Sequence, residues 1–273
     1  MTFELVGVPF SSMARPGGIA NAIGALREAG LSMPFDAGDL RLVAGDGTRG
    51  ASGLLNEGAL AGLVASTRAA VDAVLERGRR PLLVGGDCPV LLGALAAGRD
   101  RFGRVGLLLV DGHEDAWPPR LSPTGEASDS EIGIALGRVA GLPAPLGGLV
   151  PLLRPQDLAM LGPRDRVEIE AAGERSLRDQ VAAFGLDAAA ALAALGDRRF
   201  WLHIDLDVLS TDAFPAADYL QPGGLTWAEL TDIARLALAS GRCFGAGVVI
   251  YNPDLDPERT SAARVVRFIS SLK

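Results

Sequence analysis

Residues 105–115 read VGLLLVDGHED, a short apolar run that passes directly into Asp111, Gly112, His113, Glu114 and Asp115. An uninterrupted apolar run of this length predicts a strand buried on both faces, as in a parallel sheet. The same grammar appears twice more. PLLV at 81–84 precedes Gly85-Gly86-Asp87-Cys88, and FWLHIDLDVL at 200–209 carries Asp205-Leu206-Asp207. In a parallel sheet all strands open their carboxyl ends at one edge, where ligands bind. Three acidic ends therefore converge, and gathered like charges require a cation to neutralise them. Asp111, Asp115, Asp205 and Asp207 with His113 are too many ligands for one tetrahedral zinc. They suit two divalent metals that share bridging oxygens.

Outward from these motifs, strand-like and helix-like segments alternate, the pattern of a parallel sheet covered by helices. Strands are predicted near 3–8, 81–84, 105–110, 157–161, 199–206 and 244–250. Helices are predicted near 19–29, 55–78, 89–98, 131–139, 181–195, 227–239 and 257–271. In the helix at 55–78, Leu60, Leu63, Val64, Val71 and Val74 recur near helical spacing. Residues 31–50, rich in Gly and Asp, read as a surface excursion, and the Pro-rich stretch 116–130 as an ordered active-site loop. Gln221-Pro222-Gly223-Gly224 marks a sharp turn and Thr226 a helix N-cap. No repeat or linker interrupts the chain, so residues 1–273 are expected to form a single domain.

Bulk properties narrow the partners. A net charge of −7 disfavours nucleic acid and anionic membranes. Two cysteines far apart, Cys88 and Cys243, make no disulfide framework and suggest a reducing cytoplasm. No signal core precedes the first strand, and no apolar run reaches the ~18 residues of a membrane helix. A cytoplasmic protein acting on a small molecule is the expectation.

With these motifs in place, the chain resembles the ureohydrolase superfamily of arginase, agmatinase and formiminoglutamase. VGVPFSSMARPGGIANAIGALREAGL resembles its first strand and Gly-rich loop, GGDC its Gly-Gly-Asp-His motif, and DGHED its Asp-Ala-His-x-Asp motif. HIDLDVL with QPGGL resembles its Ser-x-Asp-x-Asp motif and Pro-Gly-Gly turn, and YNPDLDPERT its Asn-Pro-x-Leu-Asp stretch. The resemblance implies a three-layer α/β/α fold with a mainly parallel sheet of about eight strands, two manganese ions, and a homo-oligomer, a trimer or hexamer. It further implies that one metal takes Cys88, Asp111, Asp115 and Asp205 and the other Asp111, His113, Asp205 and Asp207. A metal-activated hydroxide would attack an amidine or guanidine carbon. Asp115 would orient it, and Asp207 would assist the tetrahedral intermediate and the departing nitrogen.

Three departures from the family pattern argue against a plain arginase. Cys88 stands where a histidine ligand is usual; it is either a thiolate ligand, favouring Zn(2+), Fe(2+) or Ni(2+), or a small apolar filler. Ile250 stands where a glutamate grips the guanidinium, removing a charge-assisted contact of roughly 1.5–3 kcal/mol. The family's proton-shuttle histidine falls near Ser128, leaving Glu126, Asp129 or Glu131 to move protons or contact substrate. His203 is predicted either to orient Asp205 from behind the metals or to be a hydrogen-bonded core histidine. Asp87 reads as a supporting or capping carboxylate and Trp117 as a wall of the pocket. Asn252 and Asp256 read as turn and cap residues. The leading expectation is a metal-dependent hydrolase of a linear C–N bond in a guanidine, amidine or formimino substrate. The alternatives are a single-zinc amidohydrolase of deacetylase type and a degenerate binding or assembly protein.

Overall fold

The computed structural model describes residues 2–14 and 17–272. Eight strands are Phe3–Gly7 (β1), Asp36–Asp39 (β2), Arg80–Val84 (β3), Gly106–Val110 (β4), Leu158–Leu161 (β5), Ala183–Gly185 (β6), Phe200–Asp205 (β7) and Cys243–Val249 (β8). Nine α-helices among the described residues are Ala22–Glu28 (α1), Glu57–Glu76 (α2), Val90–Phe102 (α3), Glu131–Ala135 (α4), Ala144–Gly147 (α5), Arg166–Ala171 (α6), Ala188–Ala194 (α7), Trp227–Ala239 (α8) and Thr260–Ser271 (α9). The strands form one sheet in the order β2-β1-β3-β8-β7-β4-β5-β6, and every pairing is parallel.

The strands that read as continuous apolar runs occupy the centre. All residues of β4, β7 and β8 are buried, as strands covered on both faces must be. The helices fall into two packed groups: α2 lies on α3, while α1 and α8 lie on α9 and α7 on α8. This is the expected three-layer α/β/α arrangement. Trp201 and Phe244, both buried on neighbouring strands, pack with ring centroids 5.6 Å apart, and Phe102 of α3 closes on Phe244 at 5.5 Å.

The sequence pattern missed both edge strands. β2 is Asp-Ala-Gly-Asp, largely exposed and without an apolar residue larger than alanine, so it carried no strand signal. β6 falls inside the Ala-rich stretch 181–195 that propensity assigns to helix. The helix starts only at Ala188, where the Asp187 carboxylate accepts the Ala190 N–H at 2.9 Å as an N-cap. The helix expected over 131–139 ends at Ala135, and Gly137 follows in the left-handed region. By contrast α8 begins where predicted. Thr226 and Glu229 form a reciprocal capping box, each accepting the other's backbone N–H.

Helix α2 is, by length and composition, long and apolar enough to cross a membrane. Glu57, Arg68, Asp72 and Glu76 interrupt its sequence, and its predicted stripe Leu60, Leu63, Val64, Val71 and Val74 is buried beside α3. Both cysteines are free and buried. Cys243 donates its thiol to the Gly245 carbonyl at 3.2 Å and serves as core filling.

Asp256 performs the predicted capping. Its carboxylate accepts the N–H groups of Ser261 and Ala262, at 3.2 and 2.9 Å, and the Tyr251 hydroxyl at 3.0 Å. Burial raises its pKa, but these donors outweigh it and hold the carboxyl below its ordinary value. Asp256→Asn should destabilise the protein by about 1–3 kcal/mol in urea titrations near neutral pH. A depressed native pKa contributes stability above the unfolded pKa and loses it as pH falls. The gap between wild type and variant should therefore shrink below about pH 4.

Candidate metal centre

Strand register explains how distant motifs meet. Val84, Val248, Ile204 and Val110 form one row across β3, β8, β7 and β4. Asp205 and Asp111 follow immediately on adjacent strands, at the carboxyl edge. Cys88 arrives from β3 over the end of β8, carried by Gly85 and Gly86. A Cβ at Gly86, whose φ is +72°, would lie 2.4 Å from the Val8 carbonyl oxygen, so the turn admits only glycine. The Cys88 thiol donates to Asp205 Oδ2 at 2.8 Å.

Two sets of potential ligand atoms result. One ligand atom each from Cys88, Asp111, Asp115 and Glu131 lie within 4.8 Å of one another, and all four residues are buried. Asp111, His113 and Asp207 form a second such set. Asp205 lies outside both mutual sets and touches the first through Cys88; its Oδ1 accepts the Asp207 N–H at 2.7 Å. Asp207 Oδ1 accepts the Gly112 N–H at 2.9 Å, and its Oδ2 lies 2.9 Å from His113 Nδ1. Among the described residues, no arginine or lysine forms an ion pair with any of these carboxylates.

The electrostatics follow from this crowding. Burial, and then the repulsion of neighbouring carboxylates, push Asp111, Asp115, Asp205 and Glu131 well above the usual carboxylate range. Burial, followed by repulsion from Asp205, also drives the Cys88 thiol up. Burial raises Asp207 too, but His113 and the Gly112 N–H outweigh it and hold the carboxyl below its ordinary value. Burial opposes protonation of His113, yet attraction to Asp207 prevails and lifts its pKa to about 9. Among the described residues, Asp111 Oδ2 and both oxygens of Glu131 receive no N–H or hydroxyl donor, and both acids instead share contact with the Asp115 carboxyl. Orphaned buried oxygens beside a thiol and an imidazole form a donor set that fits divalent cations.

The backbone is strained here. Asp115 and Ile250 have φ of +46° and +69°, and the left-handed region disfavours a β-branched residue most. The Ile250 N–H donates to the Gly86 carbonyl at 3.0 Å, tying β8 to the GGDC turn. Ile250 borders a cavity of about 360 Å³ into which Cys88, His113, Asp115, Asp205 and Asp207 open. Trp117, predicted as a wall, lines it as well.

The remaining predicted residues divide. Asp87 supports from beneath, accepting the Ser12 N–H at 2.6 Å, the Ser12 hydroxyl at 2.5 Å and the Cys88 N–H at 3.0 Å. Burial lifts its pKa to about 6. Ser128 lines the cavity with its hydroxyl 3.2 Å from that of Ser12. Glu126 lines it too. Burial and then Asp87 raise its pKa to about 8, and Tyr219 reaches both its oxygens at 3.4 Å. Asp129 also borders the cavity, but its Oδ2 accepts the hydroxyls of Ser122 and Thr124 and staples the loop.

His203 fits neither predicted role. It is fully buried, and neither ring nitrogen has a hydrogen-bond partner. Asp205 takes its hydrogen bonds from Cys88 and the Asp207 backbone instead. Period two placed the three side chains on one face, but β7 ends at Asp205 and a 3-10 turn over Leu206–Val208 redirects Asp207.

Sequence reasoning did not count Glu131 among the ligands, nor Tyr219 and Asp218 among the cavity residues. The one available signal was an acidic residue set directly before the apolar Ile132, Ile134 and Ala135, which reads equally well as a first-turn acid on an exposed helix.

The arginase family profile matches residues 1–272. An arginase of Bacillus caldovelox is 30% identical over 292 aligned positions, which cover 98% of this chain and 97% of that protein. An N(omega)-hydroxy-L-arginine amidinohydrolase of Streptomyces lavendulae is 31% identical, covering 75% of this chain and 72% of that one. The native Bacillus caldovelox arginase structure superposes with a TM-score of 0.84 at 25% identity, covering 99% and 97% of the two chains. A Bacillus subtilis formimidoylglutamase shares the fold at 18% identity, with a TM-score of 0.76 over all of this chain and 86% of the other. The chain belongs to the arginase family.

His203 supplies a test of the local packing. Burial depresses its pKa to about 3, so it stays neutral in the fold while the unfolded chain protonates near pH 6.5. A depressed native pKa means stability is lost as pH falls below 6.5. His203→Leu should leave the melting temperature at pH 8 unchanged or raised. Below pH 6.5 its advantage over wild type should grow by up to about 1.4 kcal/mol per pH unit. A loss of several kcal/mol at pH 8 would instead reveal a bonded histidine.

Proposed function

We propose that the protein is a metal-dependent hydrolase that cleaves a linear C–N bond in a cationic guanidine, amidine or formimino compound, and that arginine is a poor substrate for it. The observation that carries this reading is the pair of acidic ligand sets, unpaired with arginine or lysine among the described residues, that meet at an open cavity of about 360 Å³. Cys88, Asp111, Asp115 and Asp205 would hold one divalent ion, and Asp111, His113, Asp205 and Asp207 a second. Manganese follows the family, and the thiol suits zinc, iron or nickel. Such ions supply an acidic bound water and stabilise developing negative charge.

The chain's own groups fit the rest of this chemistry. Asp207 is fixed by the Gly112 N–H and His113, which keeps it ionised and able to receive a proton from the attacking side. Asp115, in the left-handed backbone region, contributes its carboxylate to the first ligand set. Farther out, the cavity is bordered by Glu126, Glu168, Asp129 and Asp218, and among the described residues that line it His113 is the sole potentially cationic side chain. That field favours a positively charged substrate. Ile250 offers an apolar wall where arginine would need a carboxylate, which argues for a cation gripped by Glu126 instead.

Metal analysis followed by a substrate panel tests the proposal. Two ions per chain are expected. Guanidines, amidines, formimino compounds and acetylated amines should be screened for urea, ammonia, formamide or acetate release. One of the first three classes should be turned over well ahead of arginine, and Asp207→Asn should lower kcat by about 10²–10⁴-fold. One zinc per chain with acetate release would favour the single-metal amidohydrolase, since Asp111, His113 and Asp207 form a set of their own. No turnover in protein loaded with manganese, zinc, nickel or iron would leave only a binding role.

The pH dependence gives a second check. Glu126 ionises near pH 8, so KM for a cationic substrate should fall as pH rises through 8. Glu126→Gln should raise KM by about 10–100-fold above pH 8 and abolish that dependence, with little change in kcat. A fall in kcat with unaltered KM would assign Glu126 to proton transfer.

A further inference from the structure

Glu131 is a buried acid that the three acidic motifs do not include. It opens α4 and is fully buried, and among the described residues its carboxyl meets the Asp115 carboxyl rather than an arginine, lysine or hydroxyl. Its neighbours make it rigid with respect to Asp115. The Ile132 N–H donates to the Asp115 carbonyl at 2.9 Å, and the Ser130 hydroxyl donates to the Trp117 carbonyl at 2.7 Å. The first turn of α4 is thus fastened to the DGHED loop. One Glu131 oxygen lies within 4.8 Å of ligand atoms from Cys88, Asp111 and Asp115.

We propose that Glu131 is a further metal ligand and that, with Cys88, Asp111, Asp115 and Asp205, it makes the first site a one-thiol, four-carboxylate centre whose thiol favours zinc or iron over manganese. The inference rests on reading the cluster as a metal centre. Two features carry it. Glu131 is a buried carboxyl whose side-chain partner is the Asp115 carboxyl, itself an acid of the site, and Cys88 supplies a soft donor beside Asp205. Glu131 supplies a further hard oxygen to a site that has no imidazole. On binding, the thiol proton that now bridges Cys88 to Asp205 leaves for solvent together with any proton held among the carboxyls, so binding releases protons.

The experiment compares wild type with Glu131→Gln, an isosteric change that removes the charge. Metal-stripped protein is titrated with zinc and with manganese. Stoichiometry is read by elemental analysis, affinity by chelator competition, and thiolate–metal charge transfer by near-ultraviolet absorption with cobalt. Wild type should bind two ions, the first with a thiolate–cobalt band and with zinc displacing manganese. Glu131→Gln should bind the first ion at least about 10-fold more weakly, retain the His113–Asp207 ion, and lose the cobalt band at matched concentrations. The metal-free variant should melt higher than metal-free wild type, since one crowded carboxylate is gone, which guards against mistaking misfolding for ligand loss. Glu131→Asp serves as the second variant and should recover part of the lost affinity. Two ions bound with unaltered affinity in Glu131→Gln would overturn the inference alone. A wild type that binds neither zinc nor manganese would overturn the metal centre itself.

Discussion

Mutual repulsion among buried carboxyls at the sheet's carboxyl edge is the constraint around which the rest of this molecule is arranged. Two unit charges within 4.8 Å repel by about 3–4 kcal/mol at an effective dielectric near 20, before any desolvation. A domain's whole stability is about 5–15 kcal/mol. Asp111, Asp115, Asp205, Asp207 and Glu131 therefore cannot all be ionised together unless positive charge lies among them. Among the described residues only His113 pairs with these acids, and it compensates Asp207 far more than the others. The raised proton affinities of the remaining acids express the same imbalance.

The scaffold meets this demand by making the acids difficult to separate. Asp111 and Asp205 leave adjacent central strands one row beyond Val110 and Ile204. Glu114, whose side chain leaves the cluster, accepts the Ser176 hydroxyl and the Leu177 N–H, anchoring the loop between His113 and Asp115. Asp165 accepts the Glu114 N–H and adds a further carboxylate behind His113. Rigid backbone at the strand ends thus holds groups that would otherwise move apart, which is the preorganisation that binding a cation requires.

The central strands and the three acidic turns were legible because burial on both faces leaves a continuous apolar run that stops abruptly at a charge. The N-cap at Thr226 and the cap at Asp256 were legible for a similar reason: the chemistry is local and the spacing fixed. β2 and β6 were not, since edge strands need no apolar face and are held by neighbours distant in sequence. The reading in which His203 bonds Asp205 failed although both lie within β7, because Asp205 takes its hydrogen bonds from the Cys88 thiol and the Asp207 N–H instead. Glu131 escaped the ligand set because nothing within a few residues distinguishes an inward-facing first-turn glutamate from a solvated one. Only the position of α4 against the loop decides it.

Ile250 has a further implication for how this pocket's selectivity is maintained. Its backbone sits in the left-handed region while its amide is held on the Gly86 carbonyl, a bond that involves no side-chain atom. A branched residue is the least comfortable occupant of that torsion, with a penalty of order 1–3 kcal/mol. An unbranched replacement, glutamate included, would relax the chain rather than burden it. The distinction between an oily and an anionic wall is consequently editable at a single codon, with the surrounding architecture already prepared for either.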